Sequence, residues 1–95
     1  VSNTGVFEGD SGTELRFDVG VPTADMILAN IKVIKPGQIP VTWVATQGPG
    51  EEQVSYITLD GDIDTTGVWH LQVYIEFPSW KGYGSIAKLS VNKRL

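Results

Sequence analysis

The segment Val68-Trp69-His70-Leu71-Gln72-Val73-Tyr74-Ile75-Glu76-Phe77 places Trp69, Leu71, Val73, Ile75 and Phe77 on one side and His70, Gln72, Tyr74 and Glu76 on the other. A period of two is the pattern of a β-strand with one face on a core and the other in water. At ~3.3 Å per residue, such a strand crosses a whole small domain.

Working outward from it, the same alternation recurs. Leu15, Phe17, Val19 and Val21 oppose Glu14, Arg16 and Asp18, and Pro22 closes that strand. In residues 26–34, Ile27, Ala29, Ile31 and Val33 share a face, although Ala24, Met26, Leu28 and Ala29 also admit a short helix over 23–30. Lys35-Pro36-Gly37-Gln38 is a turn, and the following strand, residues 39–46, puts Val41, Trp43 and Ala45 on one face. Residues 47–52 form an exposed loop, residues 54–59 a further strand, and residues 60–67 a long turn. Residues 78–84, rich in glycine, are predicted as a hairpin loop containing Trp80 and Tyr83, before a last strand that buries Ala87, Leu89 and Val91. Turn residues recur about every eight to twelve positions with no βαβ alternation, which predicts packed antiparallel sheets. The expectation is one all-β domain over residues 1–95, an immunoglobulin-like antiparallel sandwich of about seven strands. A short N-terminal arm, residues 1–8, precedes it, and Trp43 and Trp69 are its expected central side chains.

Composition narrows the function classes. The chain has 95 residues, 41% of them apolar and 19% charged, which suits one ordinary core. A net charge of −4 with dispersed basic residues disfavours nucleic acid and membrane surfaces, and no apolar run approaches the ~20 residues of a membrane span. The start, Val1-Ser2-Asn3-Thr4-Gly5, lacks the basic and apolar regions of a signal peptide and suits removal of an initiator methionine. With no cysteine there is no disulfide, thiolate site or cysteine nucleophile, which fits a reducing compartment or an origin where disulfides are not used.

No constellation for catalysis emerges. Asp60, Asp62 and Asp64 alternate as calcium ligands do, but counting from Asp60 an EF-hand would need Gly and Glu where Thr65 and Leu71 stand. Capping of the turn is the better reading. His70 is the single histidine, on an outer strand face with no carboxylate placed to orient it. Gly82-Tyr83-Gly84 lacks the helix and lysine of a phosphate loop. Trp80 and Tyr83 are the residues of interest, as a plug over the end of the core, as anchors in a protein interface, or as platforms for a sugar ring.

Two resemblances extend this reading. The run Asp62-Ile63-Asp64-Thr65-Thr66-Gly67-Val68-Trp69-His70-Leu71 resembles the E–F corner of immunoglobulin-like domains, with one residue more between Asp64 and Gly67. Trp43 matches their third-strand tryptophan by position. Nearly the whole chain is also similar to a group of small proteins of tailed bacteriophages and prophages. Its matching motifs are Gly9-Asp10-Ser11-Gly12-Thr13, Lys35-Pro36-Gly37 (one residue shorter than in the group) and Gly61-Asp62-Ile63-Asp64-Thr65-Thr66-Gly67-Val68-Trp69-His70-Leu71-Gln72-Val73-Tyr74. The group is similar to the immunoglobulin-like N-terminal domains of phage baseplate and fibre proteins.

The resemblance implies a non-enzymatic virion accessory protein, without cofactor or metal, assembled in the host cytoplasm. As a capsid decoration, neck, fibre or baseplate-tail module it would dock capsid, neck or tail subunits, or other copies of itself. Trp80, Tyr83, Val6 and Phe7 are the candidate partner-binding residues, together with open sheet edges and the N-terminal arm. The alternatives are a carbohydrate-binding module for host glycans, which needs Trp80 and Tyr83 exposed and coplanar, and an extracytoplasmic bacterial binding sandwich. A metal-binding form of the latter is disfavoured by a single His and a single Met. An enzyme is the weakest reading.

Overall fold

The computed structural model describes residues 6–93, apart from the side chain of Ser85. They form seven strands and no helix: β1 (Val6–Phe7), β2 (Glu14–Asp18), β3 (Leu28–Ile34), β4 (Val41–Gln47), β5 (Gln53–Ile57), β6 (Gly67–Phe77) and β7 (Trp80–Asn92). The chain is therefore all-β, a curled open sheet in the order β1-β7-β6-β3-β4-β5-β2. Every pairing is antiparallel except the parallel contact of β1 with β7. β4 pairs with β3 along most of its length and with β5 only at Thr46 and Gln47, so the sheet bends at this strand.

The bend lets two sets of inward side chains meet. Leu15 and Phe17 of β2 and Val54 of β5 join Ile31, Val33, Trp43, Trp69, Leu71, Val73, Leu89 and Val91 in one buried cluster. Trp69 is fully buried at its centre, and burying a side chain of this size contributes a few kcal/mol, roughly 2–3. Trp43 stacks on Tyr56 at 4.5 Å and 12°, which fastens β4 to β5 where they share few backbone bonds. The expected central roles of Trp43 and Trp69 hold.

The helix admitted for residues 23–30 does not form. Ala24 and Asp25 make a turn, and β3 starts at Leu28, where its backbone is claimed by β6 from Leu28↔Glu76 to Ile34↔His70. Helix propensity over about two turns is outweighed by a ladder of this length. The hairpin is also tighter than expected. Phe77 pairs with Trp80 across Pro78-Ser79, so residues 80–84 belong to β7 rather than to a loop.

Two ends of the sheet follow from the registers. The β1–β2, β3–β4 and β5–β6 connections gather at one, the corner end. The β2–β3 and β4–β5 connections and the β6–β7 turn gather at the other, the hairpin end.

Candidate functional site

The three sequence motifs meet at the corner end, where their contacts are structural. Lys35 Nζ donates to Asp64 Oδ1 at 2.9 Å and lies 4.9 Å from the centroid of the Trp69 ring. Trp69 Nε1 donates to the Thr65 carbonyl at 2.9 Å, and Gln38 Nε2 reaches the Thr65 hydroxyl. Gly67 has φ +126°, and a Cβ there would stand 2.9 Å from Pro36 Cγ, so this position needs glycine on both counts. Gly9 N bonds to the Ile63 carbonyl at 2.7 Å, which ties the first motif to the third.

The aspartates serve this corner. Asp62 Oδ2 accepts from Leu59 N at 2.7 Å and from the Tyr56 hydroxyl at 2.5 Å. Burial, that hydrogen bond and the Asp62 charge push the Tyr56 phenol up to about 12. For Asp64, burial alone would raise the carboxyl. Hydrogen bonds from Lys35 and Thr65 and the Lys35 charge outweigh it and hold the group below its ordinary value. Among the described residues no group of three His, Cys, Asp or Glu is placed to hold a metal ion. His70 lies on the outer face, between Ile34 of β3 and Lys88 of β7.

The hairpin end is built differently. From Leu89 back to Ala87, inward residues of β7 are odd-numbered. Then Gln72 pairs with Ile86 and Tyr74 with Tyr83, so two residues of β7, Gly84 and Ser85, oppose Val73 alone. This bulge reverses the parity. Gln72 Nε2 pins it by donating to the Gly84 carbonyl at 2.9 Å. Beyond it Trp80 and Gly82 share the core side with Phe77 and Ile75, while Tyr83 turns outward against Tyr74 at 4.9 Å.

Trp80 and Tyr83 are both exposed, at 53% and 67%, but on opposite faces of β7. The coplanar pair required of a sugar platform is not formed. Tyr83 instead ends an outer-face row with Tyr74, Asn30 and Val44. The Trp80 ring rests against Phe77 at 5.8 Å and over Gly82, where a Cβ would meet Trp80 Cζ2 at 2.8 Å. Glycine at 82 is thus what lets the indole lie flat along the strand.

This indole forms one wall of an open cleft of about 660 Å³. Phe77 and Pro78 continue that wall, and Val21, Pro22 and Ala24 of the β2–β3 connection face it, with Asp25 and Ser79 as the polar lining. The connection is held in place by Thr23, whose N–H and hydroxyl both donate to the Glu51 carbonyl, at 2.9 and 3.2 Å.

The other two candidates divide. Val6 is 4% exposed and belongs to the core, which corrects its expected place on a docking surface: parallel pairing with Val91 turns its side chain inward. Phe7, opposite Asn92, is exposed. The remainder of the expected arm, residues 1–5, lies outside the described residues. Sequence reasoning missed Val21, Pro22, Ala24 and Asp25. The available signal was Val21-Pro22, an apolar pair just past the last charged position of β2. Among the described residues no helix is long and apolar enough to cross a membrane. Comparison with protein-family models and with curated proteins finds no match for this chain.

Proposed function

We propose that this chain is an immunoglobulin-like β-sandwich that works as a non-enzymatic docking module, an accessory protein of a tailed-phage virion that binds neighbouring virion subunits at its hairpin end. The pairing of β2 with β5, of β6 with both β3 and β7, and of β1 in parallel with β7 supports the sandwich reading. So does the Trp69–Thr65 bond, which does the work of the tyrosine corner of such domains, an aromatic N–H taking the place of the phenol. In that family the loops at one end of the sandwich carry recognition, and here the hairpin end corresponds to it.

The observation that carries the reading is the half-exposed Trp80, held flat over Gly82 in an apolar cleft. Tryptophan in such a setting is the residue type that dominates interface energies. The virion setting rests on the sequence resemblance alone.

The test is retention on particles. Density-purified particles from a producing host, probed with an antibody to the chain, are expected to contain it. The Trp80→Ala protein is expected in the soluble fraction. Absence of the wild-type chain from particles overturns the virion setting, and full retention of Trp80→Ala overturns the docking surface.

A further inference from the structure

We infer that the hairpin-end cleft receives an arginine-bearing, otherwise apolar segment of the partner protein, with the guanidinium stacked on Trp80 and paired with Asp25. The inference deepens the docking reading above and rests on it.

The walls are apolar and aromatic, and the one ionisable side chain lining the cleft is Asp25, exposed and with no partner among the described residues. The surroundings extend the same sign. Asp18 closes β2, Glu51 and Glu52 sit on the β4–β5 connection that anchors Thr23, and Glu76 borders the hairpin. Against these carboxylates Lys81, opposite Glu76, is the basic residue of this end. Negative potential at the mouth of a low-dielectric groove concentrates cations there.

A volume of about 660 Å³ suits a few side chains of an extended segment rather than a bare ion. Arginine fits better than lysine. Its planar guanidinium stacks on an indole face and meets a carboxylate through two parallel hydrogen bonds, while its methylene stem covers apolar surface such as Pro22 and Val21. An acidic segment would meet like charge. A sugar would find no coplanar pair, because Tyr83 faces the other side of β7 and the Phe77 and Trp80 rings are tilted by 37°.

The test is nuclear magnetic resonance titration of the ¹⁵N-labelled 95-residue chain. The probes are acetyl-Pro-Leu-Arg-Pro-amide and its versions with lysine, norleucine or glutamate in place of arginine. The Trp80 indole N–H is assigned by its loss in Trp80→Phe. The arginine peptide is expected to shift that signal and the amides of Val21, Ala24, Asp25 and Ser79 saturably. It should bind at least fivefold tighter than the norleucine peptide and twofold or more tighter than the lysine peptide, with no binding by the glutamate peptide. Asp25→Asn should weaken it at least fivefold, with the corner-end signals of Lys35 and Thr65 unmoved as the check on folding. Equal binding of arginine and norleucine peptides overturns the inference and leaves apolar docking standing. Shifts spread over acidic residues at both ends, with the Trp80 indole unmoved, also overturn it. Silence of the cleft towards every peptide overturns both the inference and the docking surface beneath it.

Discussion

Asp64→Ala and Lys35→Met remove opposite halves of one ion pair, and their costs are unequal. The Lys35 side chain is 7% exposed and that of Asp64 45%, with the charged atoms 2.9 Å apart. Removing one partner of a fully buried pair costs about 3–5 kcal/mol, because the other charge is left without compensation. Asp64 is half in water, so screening takes away roughly half of that, leaving about 2 kcal/mol for Asp64→Ala, which strands the ammonium under Trp69. Lys35→Met keeps the unbranched stem against Trp69 and releases Asp64 to solvent. It forfeits the cation–π contact and the exposed side of the pair but also removes the desolvated charge, so its net cost is within ~1 kcal/mol. In a domain of this length 1 kcal/mol moves Tm by about 4–8 °C, so Asp64→Ala should melt about 8–16 °C below wild type and Lys35→Met much closer to it. Urea and thermal unfolding at pH 7, followed by tryptophan fluorescence, read both. The double variant should resemble Lys35→Met. Equal costs for the two single variants, or a double variant equal to their sum, would refute the reasoning. The acid limb gives an independent check. Asp64 titrates below its unfolded value, so its stabilisation is complete above the ~3.9 of a free aspartate and is lost as pH falls through the lower folded value. Lys35→Met should flatten that limb.

Four further outcomes are expected. Tyr56 is raised to about 12 against ~10 unfolded, so its contribution is complete below pH ~10 and declines as pH rises from there through about 12; Tyr56→Phe should remove this part of the alkaline decline in urea midpoints. Trp69→Ala should cost about 3–5 kcal/mol and leave the chain largely unfolded at 37 °C by circular dichroism, whereas Trp80→Ala, at an exposed position, should stay within ~1 kcal/mol of wild type. Gly82→Ala should likewise leave stability within ~1 kcal/mol, since only the far edge of an exposed, rotatable side chain must give way. It should nevertheless lift Trp80 off the strand, seen as increased acrylamide quenching of its emission; unchanged quenching would mean that Gly82 does not set the indole.

The parts of the fold legible in the sequence were those where one residue pattern had one physical cause. The alternation from Trp69 to Phe77 gives β6 directly, because β6 keeps its own period of two throughout and the extra residue of the bulge lies on β7. Of the aspartates read as turn caps, Asp62 does cap the turn backbone at Leu59, whereas Asp64 pairs with Lys35, a partner its local spacing could not show. What stayed hidden was set by tertiary pairing. Two-residue β1 has no period to read, and Val6 is buried only because β7 runs beside it. Residues 80–84 have the composition of a loop, yet Gly82 makes room for an indole and Gly84 helps form a bulge. The sequence singled out Trp80 and Tyr83 but left open whether Trp80 plugs the end of the core or stands exposed. It did not reveal that one bulge sends them to opposite faces, nor that Trp80 faces a wall formed by residues 21–25.

The parallel contact of β1 with β7 also has a mechanical consequence. Val6 sits beside Val91 and Phe7 beside Asn92, with Glu8 N bonded to the Asn92 carbonyl at 2.8 Å. Tension carried through the backbone before Val6 and after Asn92 pulls these neighbours in opposite directions along their common axis. The bonds between them are then loaded in shear and must fail together. The same tension applied across Gly67 and Val91, the open end of the β6–β7 hairpin, would open that ladder one rung at a time. Single-molecule pulling should therefore need a higher force through residues 6 and 92 than through 67 and 91.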